Sequence, residues 1–543
     1  MKISYKLSAL SLSIVSAITV DAQAMQLDLG DPSIVARWDN TLKYSNAWRL
    51  KEASDTLSSD INQNDGDRAF SRGLISNRVD LFSELDVSRD GFGVRLSGAA
   101  WYDTVYNTSN DNNSPTSANA LSVPFDEFTQ ETEKLHGRKA ELLDAFAFGR
   151  FELGGHNTTF RLGKHALLWG ESLFYGSNGI AGGQAPIDIV KALSVPNTQF
   201  KELIRPVQQI SGQFQLTPDV SIGAYYQLRW EQNRFPAVGS YFSNSDVLGD
   251  GSERFILGEP LIPGGGPMAL FAGKDMKARD SGQGGVQIRF RVGETDFGLY
   301  AIQYHDKTPK LYIKQFDSAG VNLASGQVGE YKWVYPENIR SFGASFSHSL
   351  DIVNIAGEVS VRRNTPLATD GQIDLTGNAD NNGHELYAVG NSLHAQISWL
   401  ASFGPSIISQ EADFLGEVAW NRRTSITKNA AALTPRADRD ATNIRMTYEP
   451  KYRQFFSGLD LGIPVGVGYG IGNSSVVGAF NGDKVGDFSL GVNATYLNDW
   501  RGSFNYTHFF GPEGGFLDDQ LHSTYKQSLK DRDFVSLSIQ RTF

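Results

Sequence analysis

No cysteine occurs anywhere in the 543 residues. That excludes disulfide staples, thiol chemistry and any zinc or iron–sulfur site held by cysteine. Beyond the first two dozen residues there is no run of eighteen apolar residues, which excludes a membrane-crossing helix. Basic residues are in deficit: 49 Lys and Arg stand against 60 Asp and Glu, a net charge of −11. An acidic chain without a basic tract is a poor match to nucleic acid. There is no G-x-S-x-G, no H-E-x-x-H, no complete P-loop and no dinucleotide fingerprint. His384-Glu385 opens an H-E pair with no second histidine. Asn378–Gly383 imitates the first half of a calcium loop, but Val389 stands where the bidentate Glu belongs. We therefore expect no catalytic residues, no metal and no cofactor, and read the chain as a non-enzyme.

What is present is aromatic and glycine-rich: 33 Phe, 20 Tyr, 9 Trp and 56 Gly. The N-terminus carries Lys2 and Lys6, an apolar stretch over 7–20 and an Ala22-Gln23-Ala24 cleavage site. Residues 1–24 read as a secretory signal peptide, and 25–543 as one domain. Removing Lys2, Lys6 and Asp21 takes the net charge to about −12. The last eleven residues, DFVSLSIQRTF, place Val535, Leu537, Ile539 and Phe543 on one face and Ser536, Ser538, Gln540 and Thr542 on the other. That is a strand, and a lone strand needs a partner.

The same alternation recurs along the chain. Residues 78–88 and 93–103 flank an R-D-G-F turn, and 210–216 and 220–230 flank Thr217-Pro218-Asp219. Later units include 284–305, 342–362, 392–400 with 414–420, and 487–510. About eight hairpins with a first and a last strand predict an all-β, antiparallel up-and-down transmembrane barrel of about 18 strands (16–18). Short connections alternate with long ones, including 107–137, 167–204, 232–282, 307–338 and 364–390. In a bacterial outer-membrane barrel the short turns are periplasmic and the long loops extracellular, and the parity closes only for an even number. The C-terminal strand is expected to pair with the first, over 36–50, because hydrocarbon tolerates no open edge. Trp38, Trp48, Trp230, Trp420 and Trp500 fall at predicted strand ends, where aromatic belts belong.

Several stretches resemble one family: LGKHALLWGESLF (162–174), ELIRPVQQISG (202–212), YYQLRWE followed by GSYFS, and ENIRSFGASF with GEVSVRRNTPL. The ending, DLGIPVGVGYGIGN, YLNDWRGSFNYTHFFG and DRDFVSLSIQRTF, fits it too. Together they are similar to the proteobacterial outer-membrane family called domain of unknown function 1302, in order and over nearly the whole mature chain. W-G-E-S and D-R-D-F-V-S-L-S are the most specific segments; His165 departs from the Gln-like residue expected there. The terminal phenylalanine strand also resembles the sorting signal of outer-membrane barrels, with Arg541 departing from its usual apolar choice. The resemblance implies no catalytic residues. It implies traffic of apolar or organic molecules, with a periplasmic companion protein or an RND-type exporter as partner.

Charged residues on the polar faces are expected to line the lumen: Arg95, Asp103, Arg161, Arg229, Arg289, Arg291, Glu358, Arg362 and Arg501. Facing lipid mid-strand, each would cost a few kcal/mol. They form either an arginine ladder that sets a field in a pore or ion pairs that stiffen the wall. The long loop 167–204 is apolar and Gly-rich for an exposed segment, and 187–193 could be a short helix. It is expected to enter the lumen as a constriction or plug, with Lys164, Trp169, Glu171 and Arg205 near the narrowest point. The expected function is a channel or transporter for small organic, including hydrophobic, molecules in the bacterial outer membrane. The alternatives are a closed barrel serving an export route as a docking component, and a barrel hydrolase. Outer-membrane lipid, lipopolysaccharide and the barrel-assembly machinery are the other expected partners.

Overall fold

A computed structural model describes residues 25–543; the signal-peptide reading of 1–24 lies outside them. Eighteen strands close into one antiparallel barrel. In chain order they are β1 (Ile34–Arg49), β2 (Gly73–Arg89), β3 (Phe92–Asp103), β4 (Arg138–Leu153), β5 (His156–His165) and β6 (Val207–Thr217). Then come β7 (Val220–Gln227), β8 (Gly284–Val292), β9 (Thr295–Tyr304), β10 (Ile339–Leu350), β11 (Val353–Pro366) and β12 (Val389–Phe403). The last are β13 (Glu411–Lys428), β14 (Asp440–Phe456), β15 (Leu459–Gly462 continued by Val465–Ile471), β16 (Gly486–Tyr496), β17 (Trp500–Phe510) and β18 (Phe534–Thr542). The break in β15 falls at Ile463-Pro464, because proline has no N–H to give the ladder.

Alternation decides which way each wall residue faces. On β6 and β7, Ile210, Leu216, Ile222 and Tyr226 are exposed on the outer wall. Gln209, Ser211, Ser221 and Gln227, on the opposite face, are buried inside. Val286, Ile288, Val359, Val361 and Ile397 repeat the outer pattern around the circumference. An apolar wall around a polar interior fits a strand set that spans lipid and satisfies its backbone internally.

The turns at one rim are tight. At the β2–β3 turn Asp90 and Gly91 adopt φ of 49° and 85°, the left-handed pair of a two-residue hairpin. A Cβ at Gly91 would also lie 2.8 Å from the Arg150 carbonyl oxygen. Close to this rim, outside the wall, Phe92, Phe151 and Phe160 cluster with ring centroids 6.2–6.5 Å apart.

The barrel closes where the two ends of the chain meet. β18 pairs with β1 from Thr41 opposite Thr542 to Arg49 opposite Phe534. Phe543 and Asn40 then exchange both backbone hydrogen bonds, each 2.8 Å. Met25–Leu27 takes over the same edge of β1, with Met25 opposite Trp38 and Leu27 opposite Ala36. Arg541 faces outward near this rim and sets its guanidinium 5.2 Å from the Trp500 ring centroid.

The long connections carry structure that polar composition hid. Gln372–Ile373, Lys310–Gln315, Gln327–Val334, Met268–Ala272 and Arg254–Gly258 form a separate five-stranded sheet outside the barrel. Its core is Phe255, Leu270, Leu311, Ile313 and Tyr331. This layer corrects the reading of Trp230. The strand ends at Gln227, and the indole is buried against Tyr335, with centroids 4.7 Å apart, instead of lying in a lipid belt. Trp420 sits in the middle of the 18-residue β13 rather than at its end. Asn378–Gly383 is a turn in which Asp380 accepts the backbone N–H groups of Asn382, Gly383 and His384. Burial opposes ionisation there, but those donors hold the Asp380 pKa down at about 2.

Leu537 faces out near the middle of β18, and Ser538 faces in, bonded to Ser503 at 2.8 Å. Leu537→Arg is expected to lower barrel stability by about 2–4 kcal/mol, and Ser538→Arg by clearly less. Equilibrium folding into lipid vesicles measures both.

Candidate functional site

The 41 residues between β5 and β6, 166–206, do not stay at the mouth. Their backbone is held by side chains from β11, β12 and β13, across the interior. Glu358 of β11 accepts hydrogen bonds from the Ser172 hydroxyl, the Glu171 N–H (3.3 Å), the Ile180 N–H (3.0 Å) and the Gln396 amide (2.9 Å). The chain can wrap the carboxylate because the two nearest residues lack a Cβ. One at Gly170 would lie 2.6 Å from Glu358 Oε2, and one at Gly179 would lie 2.6 Å from Oε1. Gly170 also has a φ of +87°, which other residues adopt only with strain.

Arg362, on the same face of β11 and four residues further along, donates from Nη2 to three successive carbonyls, Ser177, Asn178 and Gly179, at 2.8–2.9 Å. Asn178 in turn donates to Gln396 at 3.1 Å and accepts from His394 Nδ1 at 3.0 Å. Glu417 of β13 takes the backbone N–H groups of Phe174 and Tyr175. Farther round, the Asn197 amide reaches Ser489 of β16 at 2.8 Å. Charged acceptors and donors make these bonds worth roughly 1.5–3 kcal/mol each, and a buried carboxylate without them would be strongly disfavoured.

The near end of the segment is anchored by packing. Trp169 is buried edge-on against Tyr225, with centroids 4.9 Å apart, and lies 6.2 Å from Tyr300. The short helix Ile189–Ser194 starts at Asp188, whose carboxylate accepts the Lys191 N–H at 3.0 Å. Asp188 also pairs with Arg234 at 2.8 Å, and Arg234 pairs with Glu141.

On the other side of the segment a cavity of about 700 Å³ remains, bounded by β1–β4, β17 and β18. Lys43, Arg78, Asp80, Trp101, Glu141, Asp188, Lys191, Arg205 and Arg234 line it. Tyr106, Tyr241, Phe242 and Phe534 also line it, near the ends of the strands that carry the long loops. Above them the loops after β1, β3, β7 and β17 are locked by buried charge. Arg49 meets Asp531 at 2.8 Å, Arg532 meets Asp67 at 2.6 Å, and both guanidiniums lie within 6 Å of the Tyr241 ring centroid. Asp533 receives His508 at 2.7 Å and Lys51 at 2.9 Å.

The sequence-predicted lumen residues do not form one ladder. Arg95 is a bidentate partner of Asp86, both bonds 2.7 Å. Asp103 is buried, bonded to Ser76 and to the Asn77 and Val105 N–H groups. Arg161 lies 5.6 Å from the Phe146 ring centroid. Arg289 approaches Glu171 at 3.6 Å. Arg291 pairs with Asp296 beside a turn at the tight rim, and Arg501 is exposed at the start of β17. Arg229 lies beyond the end of β7 and is not part of the wall. Glu358 and Arg362 are committed to the inserted segment.

Of the four residues placed at a constriction, Trp169 and Glu171 lie in the segment and Arg205 at its exit, 3.8 Å from Glu141. Lys164 does not join them. It belongs to β5, and its ammonium donates to the Leu142 carbonyl at 2.7 Å. Sequence reading missed Lys43, Glu141 and Glu417, although the alternation that found Arg95 applies to each. Arg234 sits in a loop, where no periodicity could mark it.

A family model described as "Protein of unknown function (DUF1302)" matches residues 6–543. Among solved structures the chain is similar to OccAB4 of Acinetobacter baumannii, with 9% identity and a TM-score of 0.42, covering 96% of this chain and 99% of that one. It is similar to OccAB2 of the same organism, with 9% identity and a TM-score of 0.43, covering 94% and 98%. It is also similar to OccK2 (OpdF) of Pseudomonas aeruginosa in complex with glucuronate, with 9% identity and a TM-score of 0.39, covering 94% and 98%. No curated protein matches.

Two outcomes follow from the site. Glu358→Ala removes four hydrogen bonds and is expected to free 166–206 for cleavage by an added protease in the folded barrel. Glu358→Gln should keep part of the protection. In the loop layer, burial and the neighbouring Asp65 push the Asp246 carboxyl well above the usual carboxylate range. A raised acid binds its proton more tightly in the folded state, so the stability it lends falls as pH rises above the ordinary carboxylate range. Proteolysis of the loop layer should therefore be slower at pH 5 than at pH 8, and Asp246→Asn should flatten that dependence.

Proposed function

This chain belongs to the DUF1302 family, and from that premise we propose that it is an outer-membrane channel or transporter for small organic molecules, hydrophobic ones included. In this reading the segment 166–206 is its constriction. The carrying observation is the division of the lumen. One side is filled by a segment tied to Glu358, Arg362 and Glu417, and the other keeps a cavity of about 700 Å³. A volume of that order accommodates one small organic molecule. The apolar wall of the cavity beside paired charges favours solutes with both characters. A periplasmic companion protein or an RND-type exporter would load or drain such a path, with lipopolysaccharide around its outer rim and the assembly machinery inserting it.

A second reading is a closed barrel that docks other components of an export route. The buried Arg49–Asp531 and Arg532–Asp67 pairs favour it, because they clamp the loops that roof the cavity. Single-channel recording in planar bilayers separates the two. The channel reading expects small steps from the intact protein and a several-fold larger conductance when the core of 166–206 is deleted. Silence from both, with insertion verified, would leave only the docking reading.

A further inference from the structure

The lipid-facing wall does not stay apolar to its end. β10 and β11 meet in a tight turn between Leu350 and Val353, so Arg340 and Arg363 lie at the opposite end, where the long connections 305–338 and 367–388 attach. The two arginines stand directly opposite each other in the register, both exposed, and the next outward pair is Phe342 opposite Val361. Like charges placed directly opposite destabilise a ladder. Neither arginine makes an ion pair among the described residues. Arg340 donates only to the Gln303 amide oxygen, at 3.2 Å, and the Arg363 guanidinium bonds to no group. The neighbouring carboxylates are engaged elsewhere. Glu337 is buried and pairs with Arg279 at 2.6 Å, and Asp440 of β14 pairs with outward-facing Arg422 of β13 at 3.7 Å. Asp380, in the connection above, is held by the N–H groups of its own turn. Arg279, Arg340, Arg363 and Arg422 thus meet Glu337 and Asp440, which leaves two positive charges at the edge of the apolar band.

We propose that Arg340 and Arg363 form a binding site for a phosphate of lipid A, the bisphosphorylated glycolipid anchor of lipopolysaccharide, with its acyl chains over Phe342, Val361 and Val359. Two adjacent guanidiniums suit phosphate oxygens, which each can take in bidentate fashion. Two residues of strand put the pair about 7 Å above Phe342 and Val361, the relation of a headgroup to its acyl chains. The pair lies at the long-loop end, which faces away from the cell in a bacterial barrel. The leaflet there is the one that carries lipopolysaccharide. The site rests on the outer-membrane placement of the barrel and not on conduction.

The test uses the folded barrel in detergent micelles and native mass spectrometry with three added lipids: bisphosphorylated lipid A, the same glycolipid stripped of phosphate, and phosphatidylglycerol. The barrel is expected to hold one bisphosphorylated lipid A at least ten-fold more tightly than either of the others. Arg340→Gln and Arg363→Gln are each expected to weaken it several-fold, and the pair at least ten-fold. Arg422→Gln, which removes a charge already paired with Asp440, is expected to leave it unchanged. Heat-modifiable gel migration checks folding. Should Arg340→Gln fail to fold, Arg363→Gln decides alone, since Arg363 holds no other group. Undiminished lipid A binding by Arg363→Gln, an equal loss in Arg422→Gln, or equal affinity for the dephosphorylated glycolipid overturns the inference. Phosphatidylglycerol held as tightly as lipid A, through the same arginines, overturns the choice of lipid A and assigns the site to a phospholipid. The double variant is expected to keep the single-channel conductance of the unmodified protein, so the site and the channel reading stand or fall separately.

Discussion

Everything in this molecule depends on one seam. A sheet in hydrocarbon cannot leave an edge of N–H and C=O groups unpaired, because each would cost several kcal/mol. The chain meets that constraint by bringing its last nine-residue strand to its first over the register from Thr41–Thr542 to Arg49–Phe534. Phe543 bonds to Asn40, and Met25–Leu27 completes the edge of β1 below it. The outer end of the seam is fastened by charge: Asp531, Arg532 and Asp533 reach Arg49, Asp67, Lys51 and His508. Breaking one partner of such buried pairs typically costs about 3–5 kcal/mol. The loops that roof the barrel are therefore tied to its closure.

The interior follows from the wall. Alternation puts polar side chains inside, and a barrel of this width would leave them to water. Instead, part of that polar surface binds backbone. Glu358, Arg362 and Glu417 each satisfy several peptide groups of one long segment, and the segment hides its own apolar residues, Trp169 and Ile180, against Tyr225 and Tyr300. A charged wall that would hold water in an open pore is here the template for a fold within the lumen. The remaining cavity lies against β1–β4, β17 and β18 and is partly aromatic.

Much of the fold was legible because its cause is local and periodic. Ile210, Ile222 and Val286 show their outward face by spacing alone, and Asp90-Gly91 announces its turn. The alternating C-terminal strand required a partner, and the first strand supplied it. What failed to show has the opposite character. The five-stranded outer sheet is built of short, irregular pairings with parallel contacts, which leave no period in the sequence. Trp230 resembled a belt residue until the end of β7 at Gln227 was known. Lys164 resembled a constriction residue because it adjoins the loop, but its place in the β5 ladder turns it elsewhere. The segments W-G-E-S and D-R-D-F were recognisable as motifs without a visible purpose. Trp169 to Ser172 wraps Glu358, which lies 186 residues from Ser172, and Asp531 with Arg532 clamps residues more than 460 positions away. Such partners become neighbours only when the barrel closes.

The central claim is that 166–206 lies across the lumen against the far wall. The absence of native cysteine allows a direct test. Ser172→Cys with Gln396→Cys puts two thiols at facing sites whose native side chains are in hydrogen-bond contact, with a gap where the longer glutamine reached across. In intact outer membranes, the account predicts that a short bifunctional thiol reagent links them within one chain, and that it does not when Ser172→Cys is paired with a cysteine at outward-facing Ile397. Failure to link the first pair, in a barrel shown to be folded, would contradict it.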